Sequence, residues 1–196
     1  MTQPARAAAD WIARRFGLDQ QVVRLLVTTF CREVHRYLAD TARRDAVRAT
    51  VGDTIAAGSA RVVLAHSLGS VVAYETLWAR PDLEVDLLIT MGSPLALPDV
   101  VFGKLDPAPI SGKGRHPPGV RRWINIADPG DLIAIPRGLA GYFDGIDPDL
   151  TTPVGVFNAH KATGYLSCTT TAAARATLLA ADLISARLLA AGAHRC

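Results

Sequence analysis

The first third of the chain repeats apolar residues at helical spacing. Residues 5–16, 20–40 and 42–57 each carry apolar side chains three or four positions apart, with charged residues between them. Gly58 follows the last of these segments, where a glycine commonly ends a helix. The pattern predicts an all-helical segment over residues 1–58.

Short continuous apolar runs then replace the helical spacing. The runs at 61–66, 85–91 and 121–127 are typical of strands buried on both faces of a parallel sheet, and a weaker run at 153–157 predicts a fourth strand. A helical pattern at 69–79 separates the first two strands. This order predicts an α/β fold with a parallel sheet of about four strands flanked by helices.

The remaining segments complete a single domain. Residues 94–119 are rich in proline and glycine, which predicts an irregular surface loop between the second and third strands. A C-terminal helix is expected over 169–196, with an amphipathic pattern as far as residue 191. No linker or internal repeat divides the chain, so we expect one domain over 1–196 with its core at 60–168.

Composition and charge narrow the class of protein. The 196 residues are 49% hydrophobic and 20% charged, which is the profile of a globular domain with a substantial core. The net charge of +3 is too small for the dense basic surface that binding to nucleic acid requires. No signal peptide is apparent, and no stretch approaches the roughly 18 uncharged apolar residues of a membrane span. We expect a cytoplasmic protein that neither binds nucleic acid nor crosses a membrane.

The cysteines suggest neither a disulfide framework nor a metal site. There are three of them, Cys31, Cys168 and Cys196, and they lie far apart in the chain. An odd number at such spacing matches neither paired disulfides nor the C-x-x-C pattern of metal and redox sites. Free thiols are therefore expected.

A candidate nucleophile follows the first strand directly, in the sequence AHSLGS at 65–70. Ser67 lies where a buried strand turns at once into a helix, a corner known as a nucleophile elbow. The corner strains the backbone, and we expect Ala65 and Gly69 to be small because larger residues would collide. The amide of Leu68, at the start of the helix, is the expected donor to an oxyanion. A helix N-cap serine is the alternative interpretation.

A serine nucleophile needs an imidazole to remove its proton and a carboxylate to orient that imidazole. Asp128 and Asp131 both follow the third strand, at the end where open parallel sheets gather functional groups. Asp128 lies in a D-P-G turn, for which a turn-forming side chain is the simpler interpretation. We expect Asp131 to be the acid, with a helix N-cap for the residues from 132 onward as the alternative.

Five histidines are candidates for the base. Three lie where solvated side chains are expected, on a charged helix, in the loop rich in proline and glycine, and in the tail: His35, His116 and His194. His66 precedes Ser67, and adjacent residues at such a corner point apart. His160 follows both Ser67 and Asp131, in the order Ser, Asp, His that this topology requires. An ordinary loop histidine is the alternative interpretation of His160.

Four blocks of sequence resemble, in this order, the α/β-hydrolase superfamily and specifically its bacterial lipase-like and esterase-like members: AHSLGSVVAYETL, LLITMGSPLAL, RRWINIADPGDLI and NAHKATGYL. The resemblance covers about residues 60–168, and the ordered set is far more specific than the serine motif alone. In those relatives an Asp after a W-x-N strand and a His shortly before a Tyr complete the triad. The resemblance implies a triad of Ser67, Asp131 and His160.

The same resemblance implies a function and a substrate class. Carboxylic esters would be cleaved through an acyl-enzyme on Ser67, without a metal or cofactor, and thioesters, amides and acyl transfer share this chemistry. Gly92 and Ser93 belong to a strand-end element, TMGSP, beside the site. We expect these two residues and His66 to contact a small-molecule ester or acyl substrate.

One part of the superfamily's pattern is missing from residues 1–60. Relatives usually have strands before the nucleophile, and a loop after one of them, often H-G-G-like, supplies the second oxyanion amide. Three explanations are open: the donor comes from elsewhere, the chain is an N-terminally shortened version of a longer enzyme, or the triad lacks full activity. The alternative function is a catalytically weak domain that acts by binding or by pairing, with a partner or second copy covering the edge of the strand at 61–66.

Overall fold

The computed structural model describes three parts of the chain: residues 20–154, residues 160–174 and residue 176. The helix expected over 5–16, the part of the C-terminal helix beyond residue 176, and the residues His194 and Cys196 lie outside this description. None of the described helices is both long and apolar enough to cross a membrane.

Two long helices open the described chain, α1 (Gln20–Ala39) and α2 (Thr41–Ala57). Asp40 separates them because its backbone is extended, and its carboxylate accepts a hydrogen bond from the amide of Arg43 at 3.0 Å. This contact caps the N-terminus of α2. Both helices bury one face in the core, as for Val34, which is 1% exposed. The two helices predicted for this part of the chain are confirmed.

Four parallel strands form one sheet in the order β1-β2-β3-β4. The strands are β1 (Val62–His66), β2 (Leu87–Met91), β3 (Trp123–Ala127) and β4 (Ile146–Thr151). The two central strands, β2 and β3, are buried at every position, as continuous apolar runs predict. Helices flank the sheet, so the predicted α/β class is confirmed.

The fourth strand lies earlier in the chain than the sequence predicts, and the expected range of 153–157 is wrong. The structure has β4 at Ile146–Thr151, residues 153–154 follow it outside any strand, and residues 155–157 lie outside the described residues. Its sequence, IDPDLT, is polar and contains Pro148. An edge strand tolerates both features because one side of it is unpaired, and a search for apolar runs therefore misses it.

Helices and apolar side chains cover both faces of the sheet. Helix α3 (Leu68–Ala79) packs with α1 and α2 on one face, in a core that includes Tyr74 and Trp123. A smaller cluster on the other face contains Tyr165, from the short helix α4 (Ala162–Ser167), and Ala174 from a helical segment that follows it. The sequence did not predict α4.

The carboxyl ends of the parallel strands meet at one edge of the sheet. Ser67 follows β1, Gly92 follows β2 and Asp128 follows β3 directly. Polar residues that are distant in sequence are thereby gathered at one end of the sheet, where α/β proteins usually place their functional groups.

Candidate active site

Ser67 lies at a strained corner between β1 and α3. Its φ of 53° and ψ of −130° are unusual for any residue other than glycine. Its amide donates to the carbonyl of Met91 at 3.0 Å, which extends the pairing of β1 with β2 one residue beyond the strand. The helix begins at the next residue, Leu68. Pairing up to Ser67 and a helix immediately after it leave the chain no room for a relaxed turn.

Ala65 and Gly69, two positions before and after Ser67, differ from each other in their packing. Ala65 is 5% exposed and belongs to the core. Gly69 is exposed, and a Cβ built on it meets nothing within 4 Å apart from its chain neighbours and its own helix. The expectation that Gly69 must be small to avoid a collision therefore does not hold against the rest of the described chain. Its small size instead leaves open space at the start of α3.

Ser67, His160 and Asp131 form a continuous chain of hydrogen bonds. Oγ of Ser67 lies 2.9 Å from Nε2 of His160. Nδ1 of the same ring lies 2.9 Å from each carboxylate oxygen of Asp131. When Nδ1–H donates to the carboxylate, Nε2 of the neutral imidazole carries the lone pair that accepts the hydroxyl proton. This is the arrangement that activates a serine for nucleophilic attack.

The Asp131 carboxylate is completely buried and surrounded by donors. Its Oδ1 accepts hydrogen bonds from the amides of Ile133 at 2.8 Å and Ala134 at 3.3 Å, and its Oδ2 accepts one from the hydroxyl of Tyr165 at 2.8 Å. Such donors offset the loss of water around a buried charge. The residues directly after Asp131 form no helix, so the alternative of a helix N-cap does not apply.

No protein-family model, curated protein or solved structure matches this chain. The chemistry of the site is therefore inferred from the geometry of its own residues. In the described part of the chain, no group of three or more His, Cys, Asp or Glu side chains is arranged to hold a metal ion.

Asp128 has the turn-forming contacts that its D-P-G sequence predicts. One carboxylate oxygen accepts a hydrogen bond from the amide of Gly130 at 2.6 Å, and the other accepts one from the amide of Val154. These bonds close the turn after β3 and attach it to the residues after β4. In the described structure the carboxylate that contacts His160 is that of Asp131.

Leu68 occupies the position expected of an oxyanion donor. It is the first residue of α3, and the amides of a helix's first turn have no carbonyl partner within the helix. The N-terminus of a helix also carries a partial positive charge. Both properties would suit the negative oxygen that forms if Ser67 attacks a carbonyl carbon.

The ring of His66 packs beside the hydrogen-bonded histidine. Its centroid lies 4.9 Å from that of His160 and 5.7 Å from that of Tyr165. Nε2 of His66 is buried and has no hydrogen-bond partner among the described residues. Burial lowers the pKa of His66, and the neighbouring His160 lowers this pKa further. The ring of His66 thus contacts the ring of His160 from the side.

Gly92 and Ser93, the other expected substrate contacts, face inward. Gly92 has a φ of 54°, and a Cβ built on it would lie 2.7 Å from Oδ2 of Asp131. Ser93 is 2% exposed, and its hydroxyl lies 2.6 Å from that of Ser70. Ser70 donates to the carbonyl of Ser67 at 2.6 Å, so Ser93 must donate to Ser70. In this structure Gly92 makes space for Asp131, and Ser93 stabilises the corner at Ser67.

Two further residues of the site were not singled out from the sequence. Ser70 follows Ser67 by three positions in a helix, a spacing at which a serine hydroxyl reaches a preceding carbonyl, and this signal was available. Tyr165 stands in the block NAHKATGYL, five residues after His160. Its contact with Asp131 has no local signal because the two residues are 34 positions apart.

Proposed function

We propose that this protein is a serine hydrolase that cleaves carboxylic esters of small molecules. Ser67 is the nucleophile, His160 the general base, and Asp131 orients the imidazole and stabilises its protonated form. The proposal is supported chiefly by the 2.9 Å contact between Oγ of Ser67 and Nε2 of His160, at a strained corner after a parallel strand. It also agrees with the resemblance of the sequence to the α/β-hydrolase superfamily.

The acylation half of the reaction follows from these contacts. Nε2 of His160 takes the hydroxyl proton as Oγ of Ser67 attacks the ester carbonyl carbon, and the amide of Leu68 donates to the resulting oxyanion. The imidazolium then gives its proton to the leaving alcohol as the C–O bond breaks. An acyl-enzyme on Ser67 and a free alcohol are the products of this half.

Deacylation uses the same groups in reverse. Nε2 of His160 removes a proton from a water molecule, whose oxygen attacks the acyl carbon. The carboxylic acid leaves as the proton passes back to Oγ of Ser67, and the free enzyme is restored. The His160 side chain is 35% exposed, so water has access to the imidazole.

Esters fit the site better than amides. Leu68 provides one backbone amide for the oxyanion, and each such donor contributes about 10²- to 10³-fold to the rate of acyl transfer. An alkoxide is a better leaving group than an amine and therefore needs less stabilisation of the tetrahedral intermediate. With one donor identified among the residues that the structure describes, we propose esters and similarly reactive acyl compounds as substrates.

A fluorophosphonate probe tests the proposal directly, because it reacts covalently with serines that are activated as nucleophiles. We expect the probe to label the wild-type protein and not Ser67→Ala, and p-nitrophenyl ester hydrolysis to be lost in the same variant. Ser59→Ala is the matched control, since Ser59 also has a positive φ but is exposed and lies outside the site. Failure of the folded wild-type protein to react, or continued labelling of Ser67→Ala, would refute the proposal.

A second candidate function is pairing through the edge of the sheet. Within the described residues β1 pairs with β2 alone, and its first residue, Val62, is 36% exposed. An apolar edge strand offers unpaired backbone groups to another strand. The chain would then act as a binding module, with a second copy or another protein as partner. A folded wild-type protein that sediments as a dimer and does not react with the probe would favour this function.

A further inference from the structure

The hydroxyl of Tyr165 contacts both Asp128 and Asp131 in the turn after β3. The amide of Asp128 donates to this hydroxyl at 2.9 Å, and the hydroxyl oxygen lies 2.8 Å from Oδ2 of Asp131. A backbone amide can only donate, so the phenol accepts from Asp128 and its single proton is free to point elsewhere. The ionised carboxylate of Asp131 can only accept, which directs that proton to Oδ2.

The ring of Tyr165 is held firmly in this position. Tyr165 is 0% exposed and belongs to the apolar cluster beneath β2 and β3. A Cβ built on Gly92 would lie 3.0 Å from its ring, and the ring of His66 packs against it at a centroid distance of 5.7 Å. A hydroxyl on a ring confined in this way has little freedom to leave the carboxylate.

On the basis of the proposed function, we propose that Tyr165 is a positioning residue of the active site, which fixes the plane of the Asp131 carboxylate against Nδ1 of His160. Nδ1 of His160 lies 2.9 Å from both oxygens of this carboxylate; backbone amides also hold Oδ1, whereas the other donor to Oδ2 is the hydroxyl of Tyr165. Without the hydroxyl, the carboxylate can turn away from the imidazole.

The hydroxyl of Tyr165 keeps its proton over the whole pH range in which an esterase works. Burial raises the pKa of Tyr165, and the negative charge of Asp131 raises this pKa further. The phenol therefore stays a donor under all conditions in which the triad would act. Its contribution is constant, and it takes no part in proton transfer to the substrate.

Tyr165→Phe removes the hydroxyl and keeps the ring. We expect kcat for ester hydrolysis to fall about 10- to 100-fold, the loss typical of outer partners that orient a reacting group, while KM stays unchanged. Tyr74→Phe is the matched control: Tyr74 is also 0% exposed, and its hydroxyl donates to the carbonyl of Arg115 at 3.1 Å, in another part of the core. Both variants are expected to lose thermal stability, but only Tyr165→Phe is expected to lose kcat.

A double-mutant cycle distinguishes positioning from a general structural effect. If Tyr165 acts through Asp131, adding Tyr165→Phe to Asp131→Asn causes no further loss of kcat. Independent, multiplying losses, or a Tyr165→Phe variant that reacts with the fluorophosphonate probe as fast as the wild type, would overturn the inference. The proposed function fails on a different result, the absence of probe labelling in the wild-type protein itself.

Discussion

Gly92 lies directly against the carboxylate of Asp131, so closely that an added Cβ would stand 2.7 Å from Oδ2. We expect Gly92→Ala to displace Asp131 from His160 and to lower ester turnover strongly. Because the φ of 54° at this position is strained for alanine, we also expect the unfolding free energy to fall by about 1–3 kcal/mol. Steady-state kinetics and urea unfolding measure the two effects separately.

Gly112 supplies the control for this prediction. Its φ of 76° is also positive, but a Cβ built there meets nothing within 4 Å. Gly112→Ala should therefore share the loss of stability caused by the backbone and keep the turnover of the wild type. Equal turnover in both glycine variants would show that the contact with Asp131 does not matter for the reaction.

Asp131 and Asp128 are expected to respond very differently to the same substitution. Asp131→Asn removes the charge that faces His160 and favours the wrong tautomer, so we expect ester turnover to fall by about 10⁴-fold. Asp128→Asn weakens the two hydrogen bonds that close the turn and should mainly lower the unfolding free energy, by roughly 1–3 kcal/mol. The reverse pattern in kinetics and urea unfolding would make Asp128 the acid.

A buried carboxylate on α3 ties the N-terminal helices to the core. Glu75 is 0% exposed, accepts the hydroxyl of Tyr37 at 2.6 Å and Nε of Arg44 at 2.8 Å, and also accepts the amide of Asp106 at 3.1 Å. These contacts join α1, α2 and the loop after β2 at one point. Burial and the hydrogen bond to Glu75 both raise the pKa of Tyr37, so its hydroxyl remains a donor.

Removing the charge of Glu75 alone from its ion pair with Arg44 should be strongly destabilising. Glu75→Gln leaves the Arg44 side chain, 14% exposed, without its counter-charge, and we expect a loss of about 3–5 kcal/mol in the unfolding free energy. Glu75→Leu combined with Arg44→Met removes both charges and should be less destabilising than the sum of its single variants. Urea unfolding of the four proteins measures the coupling, and additive losses would contradict it.

The apolar pattern of the sequence predicted most clearly the strands whose two faces are both buried. β2 and β3 could be predicted because both of their faces are buried, which produces continuous apolar runs. β1 is a partly exposed edge strand, but its apolar sequence still predicted it, whereas β4 was missed because its sequence is polar and contains Pro148. The connection from strand to helix and the order of residue types likewise singled out Ser67, Asp131 and His160, which the structure brings within hydrogen-bonding distance of one another.

The orientations of Ser93 and Tyr165 are set by long-range packing and could not be predicted from the sequence. Ser93 was expected to contact a substrate because it follows β2 at the end of the sheet where the site lies; the structure adds a contact of its hydroxyl with that of Ser70, 23 positions away. Tyr165 likewise reaches Asp131 across 34 positions. Such contacts depend on how α3 and α4 pack on opposite faces of the sheet, and no local pattern records this packing.

The lowered pKa of His66 predicts how the unfolding free energy of the protein depends on pH. Its pKa in the folded protein lies below the usual 6.5, chiefly because the ring is buried and secondly because His160 lies beside it, with Asp131 acting in the opposite direction. Well above pH 6.5 the ring is neutral in both states and contributes no pH dependence. Below that value the unfolded chain binds the proton more readily, so the unfolding free energy falls as the solution is acidified.

His66→Gln removes this proton-binding difference and tests the sign. We expect the unfolding free energy, measured in urea about one pH unit above and about one unit below 6.5, to fall less on acidification in this variant than in the wild type. His35→Gln is the matched control, because it removes an imidazole that is exposed on α1 and lies outside the site. A steeper loss of stability in His66→Gln would mean that the folded state holds the His66 proton more tightly than the unfolded chain does, and that the charge of Asp131 outweighs burial at this ring.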